Sequence, residues 1–454
     1  MRDMNLYRYH SDPSKLLGFH DRGWYWSEEL TQDLLNRYIK SGETLVVADS
    51  WDVTMPVKFP DSVHIKGDMQ VRRQGDLPKN LKVDNLLNLS GNDLVTELPE
   101  NLQVRSLVIS GTNISDISKI TNIEGNLLIS GSKVSVLPDN LTVGGELGIG
   151  YTNPHLVNEK EKLITSLPKG LKVGGLLDIS HTRIEELPED LVAGSLKLKG
   201  SLIKSIPDSL GTKMQDLDIS GCANITRLPS FLENAKNLNL AGTGIEYLPE
   251  NLKEVNMLSL EDSKIKKLPE NLKITDFLNL SNTAITELPN GLDVEFGLDI
   301  RKTNITELPK DLKVRGRLDI TDLKVKSIPS SITSLQKLQA DNSGIERLDN
   351  ITIGEFNADS AQNFRVIGDN VSIAGSFTVR DTNLRSIGKN FKVGVDRGGN
   401  NDCDLSGTQI TDLPEDMKVG GYLILYYTPL VIDEKYKSNL QRIEKSIVAK
   451  DVLY

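Results

Sequence analysis

Residues 248–327 read LPENLKEVNMLSLEDSKIKK, LPENLKITDFLNLSNTAITE, LPNGLDVEFGLDIRKTNITE and LPKDLKVRGRLDITDLKVKS, four consecutive units of 20 residues. Their consensus, LPxxLxVxxxLxLSxTxIxx, alternates apolar and polar residues through LxL, the period of a strand with one buried face. Leu278, Leu280 and Ile285 are therefore expected to point inward, and Asn279 and Ser281 outward. The proline removes a backbone donor and stiffens the return turn, so the opposite side of each coil is expected to be irregular or extended. One unit cannot bury its own apolar edge. Stacked units share a continuous core, which is the solenoid solution.

Working outward, the LP mark or a degenerate form of it falls at 59, 77, 98, 117, 137, 167, 187, 206, 228, 248, 268, 288, 308, 328, 348, 367, 387 and 413. Most intervals lie between 18 and 22 residues; the exceptions are 30, after Leu137, and 26, after Ile387. A small polar residue recurs between strand and turn: Asn92, Thr112, Ser132, Thr182, Ser201, Cys222, Thr243, Ser263, Thr283, Thr303, Ser343, Thr382 and Thr408. Its side chain is placed to pair backbone groups that the turn leaves unsatisfied. Leu323 and Gln362 interrupt this series and are expected to distort their coils.

The repeat resembles the leucine-rich repeat, LxLxxNxLxxLP, with Thr or Ser in place of Asn, over about residues 57–430. The LP-containing form is similar to repeats of bacterial leucine-rich-repeat effectors. The phrasing of LTVGGELGIGYT, LKVGGLLDISHT and MKVGGYLILYYT is similar to bacteriophage-encoded repeat proteins. The resemblance implies a helix-poor repeat solenoid, a leucine-rich-repeat arc with one parallel sheet. A parallel β-helix is the structural rival, because LxV and TxI each have room to form another short strand. The organisation expected is an aromatic-rich N-terminal cap over 1–56, about 18 coils over 57–430 with an insertion near 151–163, and a C-terminal capping helix over 431–454. At ~4.8 Å per strand the stack would extend on the order of 80 Å.

The caps are read from amphipathicity. Trp24, Trp26 and Trp51 all lie in the first segment, where Ser27 is placed to N-cap a helix with Leu30, Leu34 and Tyr38 on one face. At the other end Tyr436, Leu440, Ile443 and Ile447 share a helical face. Either aromatic end is alternatively a docking surface. Composition narrows the class. The 454 residues are 38% hydrophobic and 26% charged, globular rather than disordered, and the net charge of −10 argues against a basic nucleic-acid binder. No apolar run is long enough to span a bilayer, no secretory leader is visible, and two distant cysteines exclude a disulfide framework, so a cytoplasmic protein is expected.

Candidate chemistry is sparse. The resemblance to effectors raises a Cys-x-Asp ligase nucleophile, but Cys403 is followed directly by Asp404 and occupies an inward strand position, while Cys222 sits in the polar series. His10 with Asp12 and His20 with Asp21 lie near each other without recognised ligand spacing. Gly144–Gly145, Gly174–Gly175 and Gly420–Gly421 recur in phase with the repeat, where a tight turn before the strand calls for permissive φ rather than a phosphate loop.

The outward strand positions say more. Asp178, Asp218, Asp299, Asp319 and Asp404 occupy the middle position, Arg301, Asp341 and Arg380 the next outward one, and Arg317 the one before. Stacking aligns them into a mixed, acid-leaning stripe on the concave face. Aspartate has poor strand propensity, so its recurrence points either to use or simply to an open polar face. Duplex DNA would carry on the order of 47 charges over the same length, so a mimic of nucleic acid is excluded. A host protein with a basic surface is the expected partner, with no nucleic acid, no membrane, no metal and no cofactor.

The 151–166 insertion, YTNPHLVNEKEKLITS, is echoed by YTPLVIDEK at 427–435, and reads equally as a binding loop or as a joint in the array. The function expected is a non-catalytic protein-binding scaffold, phage- or effector-like, that holds and inhibits a host macromolecule. A structural or adhesive virion component is the alternative, and an enzyme built on His10, Asp12, His20 and Asp21 a third.

Overall fold

Alternation in LxL becomes a parallel ladder. The computed structural model describes residues 32–151, 163–210, 214–229, 232, 235–395 and 401–454. It divides into two compact units, 1–224 and 225–454. In the second, the strands Asn237–Asn239, Met257–Ser259, Phe277–Asn279, Gly297–Asp299 and Arg317–Asp319 pair in parallel with a strict one-repeat register, Leu238 against Leu258, Leu278, Leu298 and Leu318. These leucines are fully buried, as are Leu280 and Ile285. Each such side chain stabilises the stack by about 1.5–3 kcal/mol through burial. The fold is a leucine-rich-repeat solenoid of parallel strands with few helices.

The small polar series closes the turn after the strand. The hydroxyls of Thr112, Thr182, Thr243, Thr283, Thr303, Thr382 and Thr408 each donate, at 2.7–2.9 Å, to the carbonyl three residues back. Asn92 donates to the carbonyls of Val71 and Gln74, and Cys222 Sγ lies 3.1 Å from the Leu198 carbonyl. The residue before this position is left-handed, which suits Gly111 and Asn282 but strains Lys302 and Tyr427, at φ of 55° and 61°. Two expectations fail here. Leu323 is buried and keeps the backbone bond to Ile320, so its coil is regular. Gln362 is exposed, because a one-residue insertion hands the turn position to the buried Ala361, which bonds Ala358 in the same way.

The rival β-helix is answered by the minor ladders. LxV does form short strands, such as Lys273–Ile274, Asp293–Val294 and Lys313–Val314, that pair from coil to coil. A third ladder, Arg347–Leu348, Val366–Ile367 and Ser386–Ile387, occurs at the LP mark rather than at TxI, and in coils that lack the proline. Gly368 and Gly388 stand where proline stands elsewhere, and their N–H groups donate to Leu348 and Ile367 at 2.7 Å. Proline has no such donor. The double glycines also differ from expectation. Gly144 and Gly174 do not adopt positive φ; a Cβ would lie 2.1 Å from the Glu124 carbonyl oxygen and 2.4 Å from that of Gly144, so they permit close approach of successive coils.

Both cap assignments change. Strands Leu45–Val47 and Trp51–Val53 already pair in parallel with Ser62–Ile65 and Met69–Val71, so coils begin inside the 1–56 segment. Trp51 is fully buried as a core residue, edge-on to Phe59 at 5.6 Å. A helix runs over Gln32–Ser41 with Leu34 and Leu35 buried and Tyr38 half-buried, and Gln32 exchanges hydrogen bonds with the backbone of Lys58. Trp24, Trp26, Ser27, Leu30, His10, Asp12, His20 and Asp21 lie outside the described residues. At the other end the helix covers Lys437–Ser446, with Ile443 buried and Asn439 and Arg442 bonded to Thr411 and Leu413. It is the return side of a further coil: strand Asp451–Leu453 follows and pairs in parallel with Tyr422–Ile424.

The 152–162 part of the insertion lies outside the described residues. The ladder nevertheless passes over the 30-residue interval in register, Leu147 against Leu177. Its echo forms a short helical turn, Pro429–Ile432.

Candidate functional site

Outward residues of successive strands fall into three rows, one before, one at and one after the middle position. In the second unit the middle row runs Asn239, Ser259, Asn279, Asp299, Asp319, Gln339, Asn357, Thr378 and Asp404. In the first unit it runs Asp52, Gln70, Asn88, Val108, Leu128, Gly148, Asp178, Lys197 and Asp218, and so is not uniformly acidic.

The recurrent aspartate has a structural cause. In each case Oδ1 accepts the backbone N–H two residues on: Asp178 from Ser180, Asp218 from Ser220, Asp299 from Arg301, Asp319 from Thr321 and Asp404 from Ser406, at 2.9–3.2 Å. Asn88, Asn279 and Asn357 do the same. A carboxylate or amide there replaces the ladder partner that the backbone loses as it turns. Ser281, expected outward, is buried and donates to Asn279 at 2.7 Å.

In three of these aspartates the second carboxylate oxygen meets a cation. Asp178 pairs with Lys197 at 3.0 Å. Asp299 pairs with Arg301 Nε at 3.2 Å and Asp319 with Arg317 Nη2 at 2.7 Å. These last four side chains form one cluster in which the acids lie underneath: Asp299 and Asp319 are 7% and 2% exposed, Arg301 and Arg317 42% and 46%. Burial, and then the neighbouring Asp319 charge, push the Asp299 carboxyl above its ordinary range, against the opposing pull of Arg301 and Arg317. Asp341 accepts from Gln339 and from the Asp359 N–H, and Arg380 grips Asp359 through Nε and Nη2. Of the expected residues, then, Asp299, Arg301, Arg317 and Asp319 come together. Asp341 and Arg380 converge on Asp359, Asp404 stands in a later coil, and Asp178 and Asp218 belong to the first unit.

Beside the cluster lies an apolar patch. Met257, Phe277, Gly297 and Arg317 occupy the preceding outward row. The Phe277 ring crosses Gly297, where a Cβ would lie 2.6 Å from its Cδ2. Phe296 is 56% exposed, and its neighbour in the next coil is Gly316, which has no side chain to cover it. Met257 is 39% exposed. Apolar residues at outward positions of an alternating strand are the signal that marks this patch in the sequence.

Neither cysteine is placed for chemistry. Cys403 is fully buried, and burial pushes its thiol well up; Cys222 is buried with its thiol also raised by desolvation. His64 meets Asp84 at 2.9 Å. His155 lies outside the described residues. Among the described residues no cluster of three or more His, Cys, Asp or Glu is arranged to hold a metal ion, and no helix is long and apolar enough to cross a membrane. In the first unit an open groove of about 470 Å³ is lined by Lys82, Asp84, Arg105, Lys119 and Glu124 among others, a mixed and solvated surface.

No protein-family model and no curated protein matches the chain. Among solved structures, YopM from Yersinia enterocolitica WA-314 is similar at 17% identity and a TM-score of 0.34, covering 78% of this chain and 90% of that one. An LRR protein of Leptospira interrogans is similar at 16% identity and a TM-score of 0.42, covering 81% and 95%. TLR13, solved as a complex with ssRNA13, is similar at 12% identity and a TM-score of 0.24, covering 90% and 83%. At such overlaps the fold stands on the chain's own repeat and ladders.

Proposed function

We propose that the chain is a non-catalytic protein-binding scaffold. It holds a host macromolecule on the outward strand face of its second unit and, as a phage- or effector-encoded repeat protein would, inhibits it by covering its surface. The observation that carries this is the patch of exposed Met257 and Phe296 with half-buried Phe277, flanked by two anchored guanidiniums. Aromatic residues and arginine are the side chains that dominate protein interfaces, and a hydrogen-bonded ladder presents them with little conformational entropy left to lose. Chemistry has no comparable support: both cysteines are buried with raised thiols.

The test is a pull-down from bacterial lysate with the tagged chain and with a Phe296→Ser variant, each with and without nuclease. A near-stoichiometric protein retained by the parent, lost with Phe296→Ser and indifferent to nuclease is the expected result. Retention that vanishes with nuclease would make the bound species nucleic acid. Equal retention by the variant would move the contact elsewhere.

A further inference from the structure

We infer that the patch around Phe296 recognises an acidic, extended segment of a partner protein: a bulky apolar side chain seated on Phe277 and Phe296, and a carboxylate held by Arg301 and Arg317. The inference rests on the scaffold function proposed above and names the partner's chemistry. The sequence alone favours a basic partner, because it counts aspartates on the outward rows. Burial reverses that preference. The Asp299 and Asp319 carboxylates are covered and already bonded on both oxygens, to a backbone N–H and to an arginine. A cationic partner cannot reach them, whereas the two guanidiniums above them are close to half exposed.

Arg317 donates one hydrogen bond to Asp319, Arg301 makes an ion pair with Asp299, and both are close to half exposed, with donors left for a ligand. Arg301 holds Asp299 through Nε, and Arg317 holds Asp319 through Nη2. The buried acids thus fix the two guanidiniums in place, so an incoming carboxylate meets donors with little rotamer freedom to lose. Gly297 makes the site continuous. Lacking a side chain between Phe277 and Arg317 in the same row, it lets the Phe277 ring lie across it, next to the strand that carries Arg317. Asp276, whose carbonyl accepts the Phe296 N–H, and the exposed Glu295 adjoin the aromatic end and repel a carboxylate there, which sets the direction of the segment.

Spacing defines the ligand further. The Phe277 ring lies over Gly297, one strand spacing of ~4.8 Å from the Arg317 backbone, so apolar anchor and carboxylate are close neighbours on the ligand.

The experiment selects displayed random linear peptides on the full-length chain and measures the enriched peptides by fluorescence anisotropy. Enrichment of Asp or Glu within a few residues of a large apolar residue is expected. Binding should fall at least ten-fold with Phe296→Ser and with Arg301→Ala, and several-fold with Arg317→Lys, which keeps the charge above Asp319 but loses the fork. Unchanged thermal unfolding of Phe296→Ser and Arg317→Lys guards against misfolding as the cause. Binders that Phe296→Ser abolishes but that are basic or uncharged would overturn the acidic specificity and leave the scaffold function standing. Binders indifferent to all three changes, or none recovered, would overturn both.

Discussion

From Leu248 to Pro329 every return turn opens on Leu-Pro or Ile-Pro, whereas at the next three marks the proline position holds Asp349, Gly368 and Gly388. The first stretch packs its core with leucine, isoleucine and valine. The second carries Phe356, Phe364, Phe377 and Phe391, fully or almost fully buried, with rings in contact at 5.2–5.7 Å between centroids. The same stretch carries Ala340, Ala358 and Cys403 at inward strand positions that hold leucine or isoleucine in the proline stretch. The two stretches therefore distribute their stability differently. Proline coils leave the return side without a continuous ladder and rely on a stiffened chain. Glycine coils add backbone bonds there and an aromatic core. The charged cluster and the exposed aromatic patch sit in the proline stretch, whose middle row changes from Asp299 and Asp319 to Asn357 and Thr378 in the glycine coils.

The largest effect is expected from Phe377→Ala, at about 3–5 kcal/mol, because the ring touches both Phe356 and Phe391. Urea unfolding followed by circular dichroism measures it against Leu298→Ala. A smaller loss for the phenylalanine would show that the aromatic stack adds nothing beyond an ordinary leucine column.

Next comes Gly388→Pro, which removes the N–H bonded to Ile367 and orphans that carbonyl, at about 1–3 kcal/mol before any steric cost. The reciprocal Pro289→Ala has no donor to lose and is expected to cost less than about 1 kcal/mol, chiefly through the unfolded chain. Equal costs would mean that the third ladder is not a source of stability.

Thr283→Val and Thr382→Val probe what the stretches share. Each deletes a hydroxyl bond to the carbonyl three residues back, at 2.7 and 2.9 Å, and each is expected to cost about 1 kcal/mol. Unequal losses in thermal unfolding would locate a further difference in the turn.

The smallest effect separates the stretches by pH. The folded-state pKa of Asp299 is raised by burial and by Asp319, so its favourable contribution is complete below the unfolded pKa and lost as pH rises through the folded one. Asp299→Asn keeps an acceptor for the Arg301 N–H and is expected to be neutral to slightly stabilising at pH 7, with the gain vanishing in acid. Asn357→Asp, in the glycine stretch, is the control. A gain for Asp299→Asn that persists in acid would assign the effect to packing rather than to charge.

How much of this was legible in the sequence follows from which interactions are local. The LxL period and the inward leucines are local, and they specify the ladder and core correctly. Coil boundaries are not. Trp51 reads as a cap residue because no LP mark precedes it, yet it fills the core of an early coil. The segment after Tyr436 reads as a terminal helix because a strand as short as Asp451–Leu453 has no periodicity of its own. Gln362 reads as the turn residue because one inserted residue shifts the register, which only the Ala361 bond reveals. The aspartates were legible as a row but not as turn partners. Their purpose depends on where the strand stops and on arginines in the same and the next coil lying over them. The patch was missed although Met257 and Phe277 break the outward polar pattern in plain view.

Hydroxyl-radical footprinting of the chain, alone and bound to the protein it captures, bears most directly on the proposed binding face, since methionine and phenylalanine side chains oxidise readily when exposed. Binding should protect Met257, Phe277 and Phe296 while Tyr247 and Tyr427, both exposed and outside the patch, remain as reactive as before. Unchanged oxidation at Phe296 with protection at Tyr427 or Tyr247 would place the partner elsewhere and contradict a binding face on the outward strands.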